Sequence, residues 1–314
     1  MLTYTARRLL QLPLLLLFIS FIVFSLMHLA PGDPVPLMLG DIRTAEAEAA
    51  LRHELGLDRP LPMQYVSWVW NALHGDLGYS IANKQSVLRE IASRLPNTFT
   101  LAFMGMTWAV AIGIPVGIYA AVRQNSWVDY LSMTFALAGV SIPNFVLAMF
   151  LILLLAVRLD VLPISGGPSV LEDPLGAMRF MLMPALAIGG YAAGEIARML
   201  RSSMVEVLNQ DYIVTARGKG LPERRVHWQH ALKNALIPTL TVLGIDFAYM
   251  LGGSVVLEQI FSLPGVGHYM MQAVFWRDYP VIQGVTLVVA LVFIVINFAT
   301  DIAYSYIDPR IRYE

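Results

Sequence analysis

Residues 98–122, TFTLAFMGMTWAVAIGIPVGIYAAV, run for 25 positions without an Asp, Glu, Lys or Arg. A helix of that length rises roughly 37 Å, enough to cross the about 30 Å of a bilayer's hydrocarbon core. Leu9–Leu29, Tyr130–Val157 and Val281–Thr300 are also free of charge, and each is at least 20 residues long. Phe180–Ala197 is interrupted only by Glu195, and Ala235–Leu257 only by Asp246. These runs predict an all-α membrane protein with six transmembrane helices.

The composition agrees. Of 314 residues, 57% are hydrophobic and 14% charged, where a soluble globular chain carries about 25% charged residues. Lys and Arg total 21 against 22 Asp and Glu, a balance that excludes a basic nucleic-acid binder. With no cysteine, disulfide frameworks, cysteine zinc sites, thiol nucleophiles and iron-sulfur clusters are excluded as well.

Charge asymmetry sets the expected orientation. With both termini and the loops near 123–129 and 198–234 on one side, that side holds twelve basic residues. The other holds nine, six of them in the long loop Ala30–Asn97. Loops beyond about 60 residues escape the positive-inside rule, so the comparison is twelve to three and both termini are expected in the cytoplasm. Arg7 and Arg8 precede an apolar run longer than a signal-peptide core, so the first helix is expected to remain as an anchor. The chain then divides into 1–97, an anchor helix with a long extracytoplasmic loop; 98–305, a transmembrane core with a cytoplasmic loop at 198–234; and a tail, 306–314. The long loop holds expected helical turns at Glu46–Leu55 and Gln64–Leu73, with Trp68 and Trp70 suited to a membrane interface.

No phosphate loop is present: Gly218-Lys219-Gly220 lacks the Ser or Thr after the lysine and follows no strand. His-Glu-x-x-His and Gly-x-Ser-x-Gly are also missing. Any ATP hydrolysis therefore belongs to another polypeptide. The informative segment is Asp211-Tyr212-Ile213-Val214-Thr215-Ala216-Arg217-Gly218-Lys219-Gly220-Leu221-Pro222. Asp211 is expected to cap a short helix, Gly220 to end it in a left-handed conformation, and Pro222 to open the next.

That segment resembles the coupling loop, often called the EAA loop, of the membrane subunits of ABC importers, specifically the dipeptide, oligopeptide and nickel permease branch. Other fragments share the resemblance in order: Pro31-Gly32-Asp33-Pro34, Leu55-Gly56-Leu57-Asp58-Arg59-Pro60, Gly75-Asp76-Leu77-Gly78 and Arg94-Leu95-Pro96-Asn97-Thr98. Gly253–Glu258, Phe261–Gly267, Arg277–Gly284 and the tail Asp308-Pro309-Arg310-Ile311-Arg312 continue it. Val214-Thr215-Ala216 stands where the general importer motif has Glu-Ala-Ala, a departure that favours the peptide branch over sugar importers.

The resemblance implies a type I importer permease in a bacterial or archaeal cytoplasmic membrane. Such a subunit is not an enzyme and binds no cofactor, ATP and magnesium staying on two partner ATPases. It implies a second, paralogous permease chain, an extracytoplasmic substrate-binding protein, and alternating access for dipeptides or oligopeptides. A nickel chelate or glutathione is the alternative cargo. Asp211, Tyr212, Thr215, Ala216, Arg217, Gly218, Lys219, Gly220 and Leu221 would meet the ATPase. Asp246 costs about 2.5 to 3.5 kcal/mol at a helix centre unless it faces a polar partner or water. Asn144, Asn297 or a second subunit could supply that partner, and the three residues Asp246, Asn144 and Asn297 are candidates for the translocation pathway. A different class, a secondary transporter driven by an ion gradient, would use Asp246 and Asp301 as proton or sodium sites. Glu195 is expected to pair with Arg198 one turn on, and Gly113, Gly117, Gly139, Gly189 and Gly190 to let helices approach closely.

Overall fold

A computed structural model describes residues 2–29, 35, 39, 44–54 and 56–307. The Pro31–Pro34 fragment, Leu55 and the tail from Asp308 lie outside them, as does the side chain of Asp301. Among the described residues the regular structure is helical, with one isolated antiparallel bridge between Tyr79 and Ser86.

In chain order the helices are α1 (Leu2–Leu29), α2 (Ala45–Glu54), α3 (Leu61–Leu73), α4 (Val87–Val122), α5 (Trp127–Ser141) and α6 (Asn144–Leu151). A π-helical stretch, Ile152–Arg158, prolongs α6. There follow α7 (Pro174–Leu208), α8 (Asp211–Gly218), α9 (Glu223–Arg225), α10 (Leu232–Gly253), α11 (Val255–Ile260), α12 (Val266–Trp276) and α13 (Tyr279–Ile307). A second π-helical stretch, Val226–Ala231, joins α9 to α10. Among the described residues, four segments are long and apolar enough to cross a membrane: α4, α7, Glu223–Gly253 and Tyr279–Thr300. The bent pair α5 and α6 is a fifth apolar unit, and α1 adds the apolar segment Leu12–Ser25.

The centre of the bundle is the pair α4 and α7. Inside lipid, hydrocarbon burial gives little drive, so close backbone approach between small residues has to supply the packing. Gly113 and Gly117 on α4 meet the carbonyls of Ala193 and Ala197 on α7, where an added Cβ would stand 2.7 and 2.8 Å away. Gly189 meets the carbonyl of Gly105 in the same manner at 2.5 Å, and Gly139 on α5 meets that of Gly190 at 2.9 Å. Met181, Ile188, Ile196, Met250 and Phe261 fill the core beside this seam.

The third apolar run differs from its reading as one span. Helix α5 stops at Ser141, Ile142 is extended (φ −82°, ψ 120°), and α6 restarts after Pro143, bent by 101°. Proline clashes with a helical residue before it and donates no amide, which favours a break at Pro143. Pro96 and Pro115 lie inside the unbroken α4, and Pro184 inside α7, so proline alone does not decide where a span breaks. Helix α10 also ends early, at Gly253 rather than Leu257, after two successive glycines that weaken a helix end.

Two small clusters close the ends of the bundle. At the end carrying the 198–234 loop, Ile118, Leu200, Met204, Ile213, Val226 and Ala235 pack together. At the far end, Leu77, Val87, Ile91, Tyr269, Val281 and Val285 do the same.

Candidate functional site

The 198–234 segment is ordered by its own sequence and then pinned to the bundle. After α7, Gln210 takes an extended conformation (φ −76°, ψ 148°) and precedes α8. Asp211 is the first helical residue rather than the cap, so its carboxylate complements the helix dipole. Ile213 and Ala216 are buried, Ile213 against Leu200, Met204, Val226 and Leu232. Ala216 is therefore largely covered by this chain itself, at 7% exposed. Leu221, half-buried, packs against the same cluster.

The helix ends as the glycine predicts. Gly220 has φ +74°, its N–H donates to the Arg217 carbonyl at 2.9 Å, and the Leu221 N–H reaches the Ala216 carbonyl at 3.4 Å. This is a Schellman turn, which only a residue free of Cβ strain forms cheaply. The Asn234 amide donates to the Tyr212 hydroxyl at 2.7 Å, locking α8 to the start of α10. The Thr215 hydroxyl returns to the Asp211 carbonyl at 2.9 Å.

The outward side of α8 is bare. A Cβ added at Gly218 or Gly220 would meet no atom within 4 Å, and Tyr212, Val214, Thr215 and Lys219 are exposed beside them. Arg217 is engaged within the chain: its Nε and Nη2 donate to the Glu223 carboxylate at 2.9 and 3.2 Å. Both partners of this pair are well exposed, so it contributes at most about 1 kcal/mol and exchanges easily for another acid.

The expected pairing around α7 is rearranged. Arg198 forms no ion pair with Glu195; Glu195 instead lies beside the Tyr191 hydroxyl. Arg201 reaches across to Asp129 at the start of α5, with two contacts of 2.6 Å. Sequence reading could not find this pair, because its members are separated by 72 residues.

Asp246 is 5% exposed in α10, and its Oδ2 has no hydrogen-bond partner among the described residues. Neither asparagine proposed as a partner pairs with it. Asn297 spends its amide on the Phe293 carbonyl of its own helix, at 2.9 Å. Asn144 stands at the α5–α6 break and lines a cavity of about 340 Å³ with Pro143, Tyr191, Tyr249 and Gly253. Tyr191 and Tyr249 lie with ring centroids 6.4 Å apart, bringing α7 and α10 together at this cavity. Among the described residues, no three His, Cys, Asp or Glu side chains are grouped as metal ligands would be.

The far end contains a polar knot whose purpose the sequence fragments did not reveal. Glu258, 1% exposed, accepts from the Thr98 hydroxyl at 2.8 Å, the Ser254 hydroxyl at 3.0 Å and the His268 N–H at 2.9 Å. Gly265 is required there because a Cβ would strike the Glu258 carboxylate. The Asn97 amide donates to the Pro264 carbonyl at 2.7 Å, and its oxygen accepts the Val170 N–H at 2.7 Å. Asn97 and Thr98 thus tie the start of the long span to the α11–α12 turn.

Comparison with known proteins places this arrangement. The chain is 44% identical over 299 residues to a peptide transport system permease protein of Brucella abortus (strain 2308), covering 95% of each chain. It is 43% identical over 314 residues to the glutathione transport system permease protein GsiC of Shigella flexneri (serotype 5b, strain 8401), covering 100% of each. Among solved structures, the inward-facing MetNI methionine ABC transporter shares the fold, with a TM-score of 0.57 at 17% identity over 70% of this chain and 96% of that one. Residues 1–102 match the N-terminal domain of binding-protein-dependent transport system membrane components. Residues 113–313 match the inner membrane component itself, and the chain belongs to this family of binding-protein-dependent transport system inner membrane components.

Proposed function

We propose that this chain is the translocation subunit of an ABC importer that carries peptides across the bacterial inner membrane. ATP would be hydrolysed on separate subunits, and a binding protein would deliver the cargo. The relatives named for peptide transport and for glutathione transport support one class of cargo, since glutathione is itself a tripeptide. Both termini and the 198–234 loop would then face the cytoplasm, as the distribution of basic residues requires.

The observation that carries this reading is the bare outward side of α8, with open space at Gly218 and Gly220. A groove on an ATPase subunit could approach that backbone closely. Ile213, Ala216 and Leu221 would hold the helix from behind, while Tyr212, Thr215, Lys219 and Asp211 would meet the ATPase. Arg217 could leave the exposed Glu223 for an acidic partner. Movement of α8 would pass into α7 and α10, to which it is fixed. On the same reading, Asp246 and Asn144 belong to a pathway wall completed by a second, similar permease chain, and Asn297 lines it from α13.

Gly218→Trp tests the reading, because residue 218 keeps ordinary helical geometry and a Cβ there meets no atom within 4 Å. The expected result is a complex that inserts normally but hydrolyses ATP without substrate uptake in reconstituted vesicles. Unaltered coupled uptake would refute the docking role of α8.

A further inference from the structure

Helix α3 is an apolar helix that buries none of its residues within the chain. From Leu61 to Leu73 it contains no charged residue, while Arg59 precedes it and Asp76 follows. At 13 residues it rises roughly 20 Å, too short to span the about 30 Å of hydrocarbon. Its side chains divide into three sectors at helical spacing. Tyr65 and Trp68 face α1: the Tyr65 ring lies 5.8 Å from Phe21 and 5.4 Å from Phe24, and Trp68 lies 6.1 Å from Phe24. Gln64, Ser67 and Asn71 form a polar sector. Met63, Val66, Trp70 and Leu73 form a third, apolar and 61 to 77% exposed.

The level of this helix follows from α1. The Tyr65 hydroxyl donates to the Leu17 carbonyl at 3.2 Å and lies 2.8 Å from the Ser20 hydroxyl. Ser20 is nine residues before the end of α1, roughly 13 Å below it, so the Tyr65 side chain reaches into the apolar part of the anchor helix. On α1 itself, Leu14, Phe18, Phe21 and Ile22 are also apolar and exposed.

We infer that α3 is an interfacial helix whose Met63, Val66, Trp70 and Leu73 sector is embedded in lipid acyl chains beside α1, with Gln64, Ser67 and Asn71 turned toward water. The 13-residue length, the charged flanks and the tryptophan are the features of a helix lying in the membrane surface. Its consequence is mechanical: the lipid holds α3, and α3 leads directly into residues 75–86, which clasp the α12–α13 turn through Ser80 and Asp278.

The absence of native cysteine makes the test clean. Val66→Cys and Ser67→Cys are each spin-labelled in the full chain, reconstituted with its transporter subunits in phosphatidylethanolamine and phosphatidylglycerol vesicles. Collision rates with oxygen and with a water-soluble nickel chelate are then measured. The label at 66 is expected to favour oxygen over the chelate several-fold more than the label at 67. Equal access of the chelate to both positions would overturn the inference in favour of a water-exposed helix. Shielding of position 66 from both reagents would overturn it in favour of a protein partner. Trp70→Cys repeats the measurement one turn away if labelling at 66 disturbs the fold.

Discussion

Asp129 and Arg201 form a two-point ion pair across 72 residues of sequence, with both contacts at 2.6 Å and the carboxylate side chain 3% exposed. The same carboxylate accepts the Asn125 N–H at 2.9 Å, so it fixes the turn between α4 and α5 to α7. Arg201 lies two turns before the end of the helix that leads into α8. The pair therefore ties the short loop at 123–126 to the segment that would meet the ATPase.

Removing one member of a fully buried pair costs about 3 to 5 kcal/mol; with Arg201 26% exposed, the cost here falls toward that of a charged hydrogen bond, about 1.5 to 3 kcal/mol. Arg201→Ala is thus expected to lower the thermal stability of the purified protein by this order. Adding Asp129→Ala to it should recover part of the loss. A double-mutant cycle in detergent measures the coupling, and additive effects would show that the pair contributes nothing.

The glycine seam between α4 and α7 predicts a steric outcome. A Cβ at residue 189 would stand 2.5 Å from the Gly105 carbonyl oxygen, a backbone atom unable to move aside alone. Gly189→Val is expected to cost roughly 1 to 3 kcal/mol or more by overpacking. Gly252→Ala meets no atom within 4 Å and is the matched control, with stability equal to or above that of the parent. Thermal melts of both variants decide the matter.

At the far end, the Ser80 hydroxyl donates to Asp278 at 2.5 Å, and the Ala82 N–H donates to the same carboxylate at 3.1 Å. A hydrogen bond to a charged group contributes about 1.5 to 3 kcal/mol. Ser80→Ala should loosen residues 79–86, giving faster proteolytic cleavage within that segment and little change in cleavage of the 198–234 loop.

His268 lies in α12, outside the spanning helices. Burial, followed by the nearby Arg94 charge, holds its imidazole below its ordinary value of 6.5, against an opposing pull from Glu258. Its Nδ1 is buried without a partner, so the neutral ring is the form that the fold accepts. A group whose value is lowered by folding contributes its full stability above the unfolded value and loses it as pH falls. Stability is therefore expected to decline below about pH 6.5, and His268→Gln should flatten that decline in melts taken between pH 7 and 5.

Four of the membrane spans were legible in the sequence because a long run with at most one charge depends on length and composition alone. The turn at Gly220 was legible for a similar reason, since a left-handed residue after a short helix is a local demand. The close glycine contacts of Gly113, Gly117, Gly139 and Gly189 were also within reach of the sequence. Tertiary structure alone decided that Pro143 breaks a span while Pro115 does not, that Ala216 is buried, and that Arg201 pairs with Asp129 while Glu195 lies beside Tyr191 rather than pairing with Arg198. It also left Asp246 without either asparagine. Local backbone preferences act over a few residues and can be read in order along the chain. Which side chains meet across 72 positions depends on the packing of whole helices, and the sequence carries no local mark of that.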